Sequence, residues 1–294
     1  MGESLGVAAV RGETEKGRAV GRWLFSDALG DSLGEPRSLP IQRFVISGGR
    51  CVFFAGMKGT VVQANRETRI IRPEQFDTSN ILARLRGCFP PDTVFETPAD
   101  FKRRVALLTE RIVADSNLRS LLTRGCLPIC LPQFAVDDYG AALEGTFLPS
   151  VKRAYERQFR GRTFDSSEQP LVGRVGVVPE SRHQKLLNQM ATKPVVGLYF
   201  PTPLQGFSFE AAREVIAAAP EGFVLSGAID IATAMVAFPN VLARDLYTLS
   251  LDCAANTWGS SQYSLRFECD DRSLSLCRWN APSTDSSGGL LFIG

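Results

Sequence analysis

The stretch from Lys193 to Asp252 constrains the fold more than any other part of the sequence, because short apolar runs alternate there with helical patterns. The runs Val195–Phe200 and Phe223–Leu225 are almost wholly apolar, which is typical of strands covered on both faces. Between them Ser208 is a good helix N-cap, and the apolar residues after it fall on one helix face. This alternation predicts strands with helices packed against them.

The segment Pro201–Phe207 follows the first run and contains two prolines, which cannot donate hydrogen bonds to a strand ladder. We therefore expect the strand to stop at Phe200. The second run leads through Ser226 and Gly227 into a helix expected over Ile229–Phe238. If the two strands are parallel, their carboxyl ends lie at one edge of the sheet, where open α/β sheets usually bind ligands.

The flanking regions add hairpins and helices to this core. A glycine pair between Arg43–Ile46 and Cys51–Phe54 predicts a β-hairpin. Asp138 begins a helical pattern that reaches Phe159, and Pro149 should kink or divide that helix. The fold class that we predict is α/β or α+β, with a mixed sheet and packed helices in the C-terminal part, preceded by a β-hairpin and a helical region.

The C-terminal third is expected to contain an antiparallel hairpin. Residues 263–279 alternate between apolar and polar side chains, with Tyr263, Leu265, Phe267 and Cys269 on one face and Arg266 on the other. The tail from Pro282 to Gly289 resembles a loop in composition, and residues 290–293 form a small apolar ending.

Charge and composition suggest three regions. Residues 66–185 hold 19 Lys and Arg against 15 Asp and Glu, whereas residues 186–294 hold 6 against 10. We predict a flexible N-terminal arm over residues 1–22, a β-hairpin plus helical region over 23–169, and a sheet domain over 170–294. The last two regions could also form one continuous domain.

The sequence contains no signal that points to a membrane or an oxidising compartment. It has no apolar run of the roughly 18 residues that span a bilayer. Its seven cysteines are irregularly spaced and include no Cys-x-x-Cys pair. We therefore expect an intracellular protein in a reducing compartment, with reduced thiols. A net charge of +2 does not favour nucleic acid, so a protein partner is expected and a small molecule remains open.

The only histidine, His183, limits the possible chemistry. Metal sites that need two histidines are excluded, and any serine or cysteine nucleophile would have to use His183 as its base. Its place near a helix start favours the neutral imidazole; the alternative is a surface residue in the first helical turn. Cys126 and Cys130 lack a second cysteine pair, and no phosphate-binding glycine motif occurs. We expect neither a metal nor a cofactor.

Two groups of polar residues remain as candidate sites. Lys152, Arg153 and Arg157, with Arg160 and Arg162 nearby, could bind an anion or could form a solvated helix face.

The second group consists of Gln205, Ser208 and Asp230 at the predicted sheet edge. It is a candidate ligand-binding set, and Asp230, Ser208 and His183 are the catalytic candidates. Asp230 is equally well explained as a helix-capping acid, and Ser208 is better explained as an N-cap than as a nucleophile.

Two classes of function follow from these patterns. The first is a non-catalytic interaction or structural subunit of a larger assembly. The second is a small-molecule enzyme or ligand-binding protein with its site near Gln205, Ser208 and Asp230. A pocket lined by these side chains would favour the second class, and a filled edge would favour the first.

Overall fold

The computed structural model describes residues 46–47, 50–51, 57–62, 77–166 and 170–294, to which the structural statements below refer. All of them belong to one of the two units into which the chain divides, Arg37–Gly294. The predicted N-terminal arm, residues 1–22, lies outside the described residues.

Helices and strands alternate along most of the described chain. The helices are α1 Thr78–Cys88, α2 Pro98–Ala114, α3 Tyr139–Ala142, α4 Leu148–Gln158, α5 Arg182–Met190, α6 Phe209–Ala218, α7 Ala228–Ala237 and α8 Pro239–Leu242, with a 3-10 helix at Arg119–Arg124. The strands are β1 Ile46–Ser47, β2 Arg50–Cys51, β3 Leu127–Leu131, β4 Thr163–Ser166, β5 Val175–Val177, β6 Val195–Gln205, β7 Phe223–Leu225, β8 Ser250–Asp252, β9 Asn256–Trp258, β10 Ser264–Cys269, β11 Ser273–Trp279 and β12 Ser286–Phe292.

An eight-stranded mixed sheet organises the described chain. Its order is β3-β6-β12-β8-β10-β11-β4, and β7 pairs with β12 beside β8. The pairs β12/β8 and β11/β4 are parallel, whereas the other pairs are antiparallel. A mixed sheet with packed helices confirms the predicted fold class, in its α+β form. The sheet includes β3 and β4, which precede residue 170, so it joins the two predicted regions; the boundary at 169 stays a prediction.

The strand β12 is the centre of this sheet, although its residues had been expected to form a loop and an apolar ending. On one side it pairs with β6, and on the other with both β7 and β8. Leu225 at the end of β7 lies opposite Leu290, and Asp252 at the end of β8 lies opposite Gly288. Because β7 is antiparallel and β8 parallel to β12, the carboxyl ends of these two strands point toward each other across Gly289.

The expectation that β6 stops at Phe200 is wrong, because the strand continues to Gln205 through both prolines. The partner β3 reaches only Tyr199, so no ladder on that side needs a donor from Pro201 or Pro203. On the other side the register with β12 shifts: Phe200 lies opposite Leu290 and Leu204 opposite Gly288. The prolines therefore lie in a bulge, one of the few positions in a sheet that tolerate them.

The helix predicted from Asp138 is continuous through Pro149, because its hydrogen-bond pattern changes locally to a π turn. Asp138 Oδ1 accepts a hydrogen bond from Ala141 N at 2.7 Å, and a π turn over Leu143–Phe147 joins α3 to α4. Pro149 follows this turn and lacks the N–H that a regular helix would use. The wider turn accommodates the missing donor, and α4 continues to Gln158.

The second predicted hairpin is present, and so is the part of the first that the structure describes, whereas residues 43–45 and 52–54 of the first lie outside the described residues. Ile46 pairs with Cys51 in the first, and Ser264 pairs with Trp279 in the second. Ser264 and Arg266 on the polar face of β10 are also buried, however, whereas Glu268 on that face is exposed. The helix α7 is buried along all its residues. Within the part of the chain described, no helix has both the length and the apolar character that crossing a membrane requires.

Candidate functional site

Gln205 and Ser208 hold the end of β6 and the start of α6 in place. Gln205 Nε2 donates to Thr284 O at 2.7 Å, and its Oε1 accepts from Arg50 at 3.0 Å. Ser208 is the N-cap of α6: its Oγ accepts from Ala211 N at 3.2 Å and also from Thr60 N at 3.1 Å. Both side chains thus make structural hydrogen bonds.

Residues 57–62 lie on the sheet edge that had been expected to bind a ligand. Their backbone pairs with the segment around Ser208, through Ser208 N to Thr60 O and Val62 N to Gly206 O, both at 2.8 Å. The Glu214 carboxylate accepts from Lys58 N at 3.1 Å and from Gly59 N at 3.0 Å. A segment of the chain itself therefore fills this edge.

Asp230 lies in the first turn of α7, away from Gln205. The end of β7 is level with Leu290 of β12 and Gln205 with Ser287, which is an offset of about 10 Å along β12 at ~3.3 Å per residue, and the two strands lie on opposite sides of β12. Asp230 Oδ1 accepts from Gly227 N at 2.8 Å, the reciprocal half of a capping box. Asp230 thus has the position of a helix cap, and a common ligand site of Gln205, Ser208 and Asp230 stays a prediction.

The start of α7 is buried, and each of its first N–H groups has a separate acceptor. Ala228 N donates to Asn256 Oδ1 at 2.7 Å, and Ile229 N donates to Tyr139 Oη at 3.1 Å. With Gly227 N on Asp230, these bonds satisfy donors that every helix start leaves unpaired. Asn256 and Tyr139 come from distant parts of the sequence, and nothing in their local patterns predicts this role.

His183 joins this buried network, so its alternative description as a surface residue is wrong: it is 1% exposed. Its Nδ1 lies 3.2 Å from Leu225 O, and its Nε2 lies 3.3 Å from Tyr139 Oη. A carbonyl can only accept, so Nδ1 carries the proton and Nε2 accepts from the Tyr139 hydroxyl. Both ring nitrogens are therefore engaged, and Nδ1 is also 3.8 Å from Asp230 Oδ1.

Burial reverses the usual charge states of this pair. It lowers the pKa of His183 to about 4, against the opposing effect of the Leu225 carbonyl. It raises the pKa of Asp230 to about 7, although the hydrogen bond from Gly227 N lowers it. Burial also raises the pKa of Tyr139 well above its ordinary value. At pH 6 the network is thus neutral, with the acidic proton on Asp230.

Three buried oxygens next to this network have no partner at full hydrogen-bond geometry among the described residues: Asp230 Oδ2, Ser226 Oγ and Tyr199 Oη. The Ser226 hydroxyl is nevertheless close enough to Asp230 to lower the pKa of that carboxyl. Ser226 directly precedes the start of α7, and Tyr199 packs against Gly289, where a Cβ would lie 2.6 Å from its hydroxyl. Unpaired buried polar atoms are rare in folded proteins. Ser226 and Tyr199 were not singled out in the sequence because both lie in apolar runs.

A second buried polar group joins β8, β10 and β12. Arg266 Nε donates to Asp252 Oδ1 at 2.7 Å, and Ser286 Oγ donates to Asp252 Oδ2 at 2.7 Å. The Arg266 guanidinium also donates to Ser286 Oγ at 2.8 Å and lies 4.2 Å from the centre of the Trp279 ring. The charges are paired and hydrogen-bonded, as buried charges must be. This group therefore links three strands of the sheet.

The basic residues of α4 face the end of α1. Arg153 Nε donates to Cys88 O at 2.6 Å, and Arg157 donates to Gly87 O at 3.5 Å. Cations are favourable there, because a helix ends with unpaired carbonyls and partial negative charge. Lys152 lies 3.9 Å from Glu156. The two arginines thus stabilise a helix end, and anion binding at Lys152, Arg153 and Arg157 stays a prediction.

In the described ranges, no group of three or more histidine, cysteine, aspartate or glutamate side chains is arranged to hold a metal ion. Comparison with protein-family models, with curated proteins and with solved structures finds no match for this chain.

Proposed function

We propose that this chain is a non-catalytic interaction or structural subunit of a larger assembly. The observation that supports this most is the filled sheet edge: residues 57–62 pair with the backbone around Ser208 and occupy the place where a ligand had been expected. Gln205 and Ser208 are then needed to hold the chain together. A protein that used this edge for chemistry would have to displace that segment.

The buried pair of His183 and Asp230 also supports a structural role. Both ring nitrogens of His183 are engaged, and Asp230 Oδ1 accepts from Gly227 N. A general base must reach the proton that it removes and be unprotonated at the working pH. His183 meets the second condition, yet Tyr139 covers its Nε2. The pair is better suited to fixing the start of α7 than to proton transfer with a substrate.

The proposal includes a protein partner and an intracellular, reducing environment. No disulfide joins any of the seven cysteines in the folded chain. Free thiols are compatible with such a compartment and would be at risk of oxidation outside it.

The proposal is tested by purification of the chain from its native source, followed by reconstitution with the co-purified protein. Two purified components should form a complex of fixed stoichiometry, measured by light scattering at several concentrations. If every co-purified protein fails to bind once purified, the chain is not a subunit of a stable assembly.

One observation favours the second class of function, a protein that binds or converts a small molecule. Asp230 Oδ2, Ser226 Oγ and Tyr199 Oη are buried without a partner at full hydrogen-bond geometry among the described residues, and a small polar group could satisfy them. A thermal-shift screen of metabolites tests this alternative, with Asp230→Asn as the matched variant because Asn retains the capping oxygen. A ligand that stabilises the wild type and loses its effect in Asp230→Asn supports the alternative; one whose effect survives removes Asp230 from the site.

A further inference from the structure

The strand β5 has one edge that no other strand covers in the described chain. It forms a two-stranded antiparallel sheet with β9, in which Val175 lies opposite Trp258 and Val177 opposite Asn256. Two-stranded sheets are only marginally stable alone, and an open edge presents unpaired backbone groups to other chains.

The hydrogen bonds on either side of β5 show which groups face that open edge. Gly259 N donates to Arg174 O at 3.1 Å, and Val178 N donates to Ala255 O at 3.2 Å. Alternate residues of an antiparallel pair bond to the same partner, so residues 174, 176 and 178 face β9. The N–H and C=O of Val177 and the C=O of Val175 therefore point away from it. No hydrogen bond from Val177 N to an acceptor outside the regular elements is found in the described residues.

A groove of about 430 Å³ lies along this strand. Its walls comprise residues 173–177, Thr257 and Gly259 at the paired strand β9, residues 136–139, and Gln184 and Leu187 of α5. That volume is within the range of ligand-binding clefts, roughly 300–1,000 Å³. Two of the wall residues are Gly173 and Gly176, so the strand backbone is not screened by side chains there.

The groove combines an aliphatic surface with a negative one. Val136 and Leu187 supply the aliphatic part, and Asp137 and Asp138, next to Val136 in the chain, supply the negative part. Asp138 accepts backbone hydrogen bonds from Ala141 and Gly173, whereas Asp137 is exposed and forms no ion pair within the described chain. Arg174 is the basic residue of the lining. An occupant that presents a cation near Asp137 and an apolar group near Leu187 would match these surfaces.

We propose that β5 binds an extended peptide of a partner protein as a third strand. The peptide backbone pairs with Val175 and Val177, an aliphatic side chain contacts Val136 and Leu187, and a Lys or Arg side chain contacts Asp137. This inference rests on the proposed function, and it names the surface and the chemistry of the partner. Strand addition to an exposed edge gives affinity through the backbone and specificity through alternate side chains.

The probe for this proposal is a phage-displayed library of random 12-residue peptides, selected on the full chain and followed by synthesis of the enriched sequences. Enriched peptides should carry a basic residue beside an aliphatic one. Their affinity should fall at least tenfold in Val177→Pro, which lacks the edge N–H, and stay within twofold in Val177→Thr, which retains it. Asp137→Lys should weaken binding at least fivefold, whereas Asp271→Lys, the same charge change on the exposed β10–β11 turn, should not.

Amide hydrogen exchange keeps the test valid if Val177→Pro fails to fold. In the wild type, added peptide should slow the exchange of segments that contain Val177. Absence of enriched peptides, or peptides that bind without protecting Val177, overturns the inference.

A reconstituted native complex separates this inference from the proposed function. A complex that still forms with Val177→Pro and with Asp137→Lys supports the proposed function but shows that the partner does not bind at β5. Peptide binding at β5 in a chain that forms no native complex removes the function instead.

Discussion

Asp230 and His183 hold one titrating proton between them both before and after folding, but on different atoms. Between pH 4 and 6.5 the unfolded chain has an ionised aspartate and a protonated histidine, as their ordinary pKa values require. In the folded chain burial lowers the pKa of His183 to about 4 and raises that of Asp230 to about 7. The proton is then on Asp230. Since the number of bound protons does not change, this pair contributes no pH dependence to stability in that window.

Single substitutions at these two positions should reveal two opposite pH dependences of the free energy of unfolding, which cancel in the wild type. In Asp230→Asn only His183 titrates: the unfolded state binds one more proton, so the free energy of unfolding should rise with pH from about 4 to 6.5. In His183→Asn only Asp230 titrates: the folded state binds one more proton, so stability should fall as pH rises from about 4 to 7. Each slope approaches ~1.4 kcal/mol per pH unit.

Urea unfolding at half-unit intervals of pH, expressed as the difference from wild type, measures these slopes. The difference cancels the other carboxylates, including Asp252, whose pKa burial also raises. Two variants with parallel pH profiles would show that the pair does not exchange its proton on folding.

The capping role of Asp230 is tested by comparing two substitutions at one pH. Asp230→Asn keeps an oxygen that can accept from Gly227 N, so its cost should be small. Asp230→Ala leaves that buried N–H without an acceptor, which costs about 1–3 kcal/mol. Chemical denaturation at pH 7 should therefore give a clearly lower free energy of unfolding for the Ala variant than for the Asn variant. Equal stability of the two would mean that the bond to Gly227 contributes nothing.

At the scale of elements, the contact between residues 57–62 and α6 depends on the absence of a side chain at Gly59. A Cβ at position 59 would lie 2.1 Å from Ala211 N, where no displacement of a flexible side chain can relieve the overlap. Gly59→Ala should cost about 1–3 kcal/mol or more, as overpacking does. Thermal unfolding measures this cost.

Gly145 provides the control for that substitution. It lies in the π turn, and a Cβ there would meet nothing within 4 Å. Gly145→Ala should be neutral or stabilising, by up to about 1 kcal/mol. Equal effects at positions 59 and 145 would show that the packing of residues 57–62 against α6 does not contribute to the stability of the protein.

The elements of the chain differ in how far local patterns predict them. The hairpin β10–β11 follows from strict alternation, and the N-caps Ser208 and Asp138 follow from residue type and position. The length of β6 does not, because proline is normally a reason to end a strand. Pro201 and Pro203 are tolerated only because the pairing with β3 extends no further than Tyr199 of β6 and the register with β12 shifts after Phe200, which are properties of the partner strands.

At the scale of the whole molecule, the state of the thiols follows from their burial. Burial raises the pKa of Cys126 and of Cys130 to about 12, and no disulfide links any of the seven cysteines. Alkylation at pH 8 without reductant should label at most the two half-buried thiols, Cys126 and Cys277, in the native protein. Under denaturing conditions all seven should be labelled. Mass spectrometry counts the labels, and fewer than seven after denaturation would reveal oxidation.

The sequence predicts the class of the whole fold but not its centre. Alternating strands and helices are local patterns, so an α+β protein with a mixed sheet could be predicted. The central strand β12 begins with Ser286, Ser287 and two glycines, a composition that favours loops. The second of these glycines is required by a distant residue: at Gly289 a Cβ would lie 2.4 Å from the Tyr199 ring.

The candidate site was predictable only in part for a similar reason. Asp230 could be singled out as a carboxylate at a helix start. Tyr139, His183 and Asn256 complete its surroundings from three other elements, and no spacing in the sequence brings them together. Burial of a lone histidine likewise depends on what packs over it, here Tyr139 and the end of β7.

The central position of β12 sets the order in which the molecule can be assembled. The strands β3 and β6 on one side and β8, β10, β11 and β4 on the other are joined in the described sheet through β12. During synthesis the two parts therefore remain separate until residues 286–292 are available. Until then β6 and β8 each expose an edge that aggregation can use, and pairings between distant segments form slowly. The nascent protein thus depends on β12 to cover the edges of β6 and β8, which are synthesised before it.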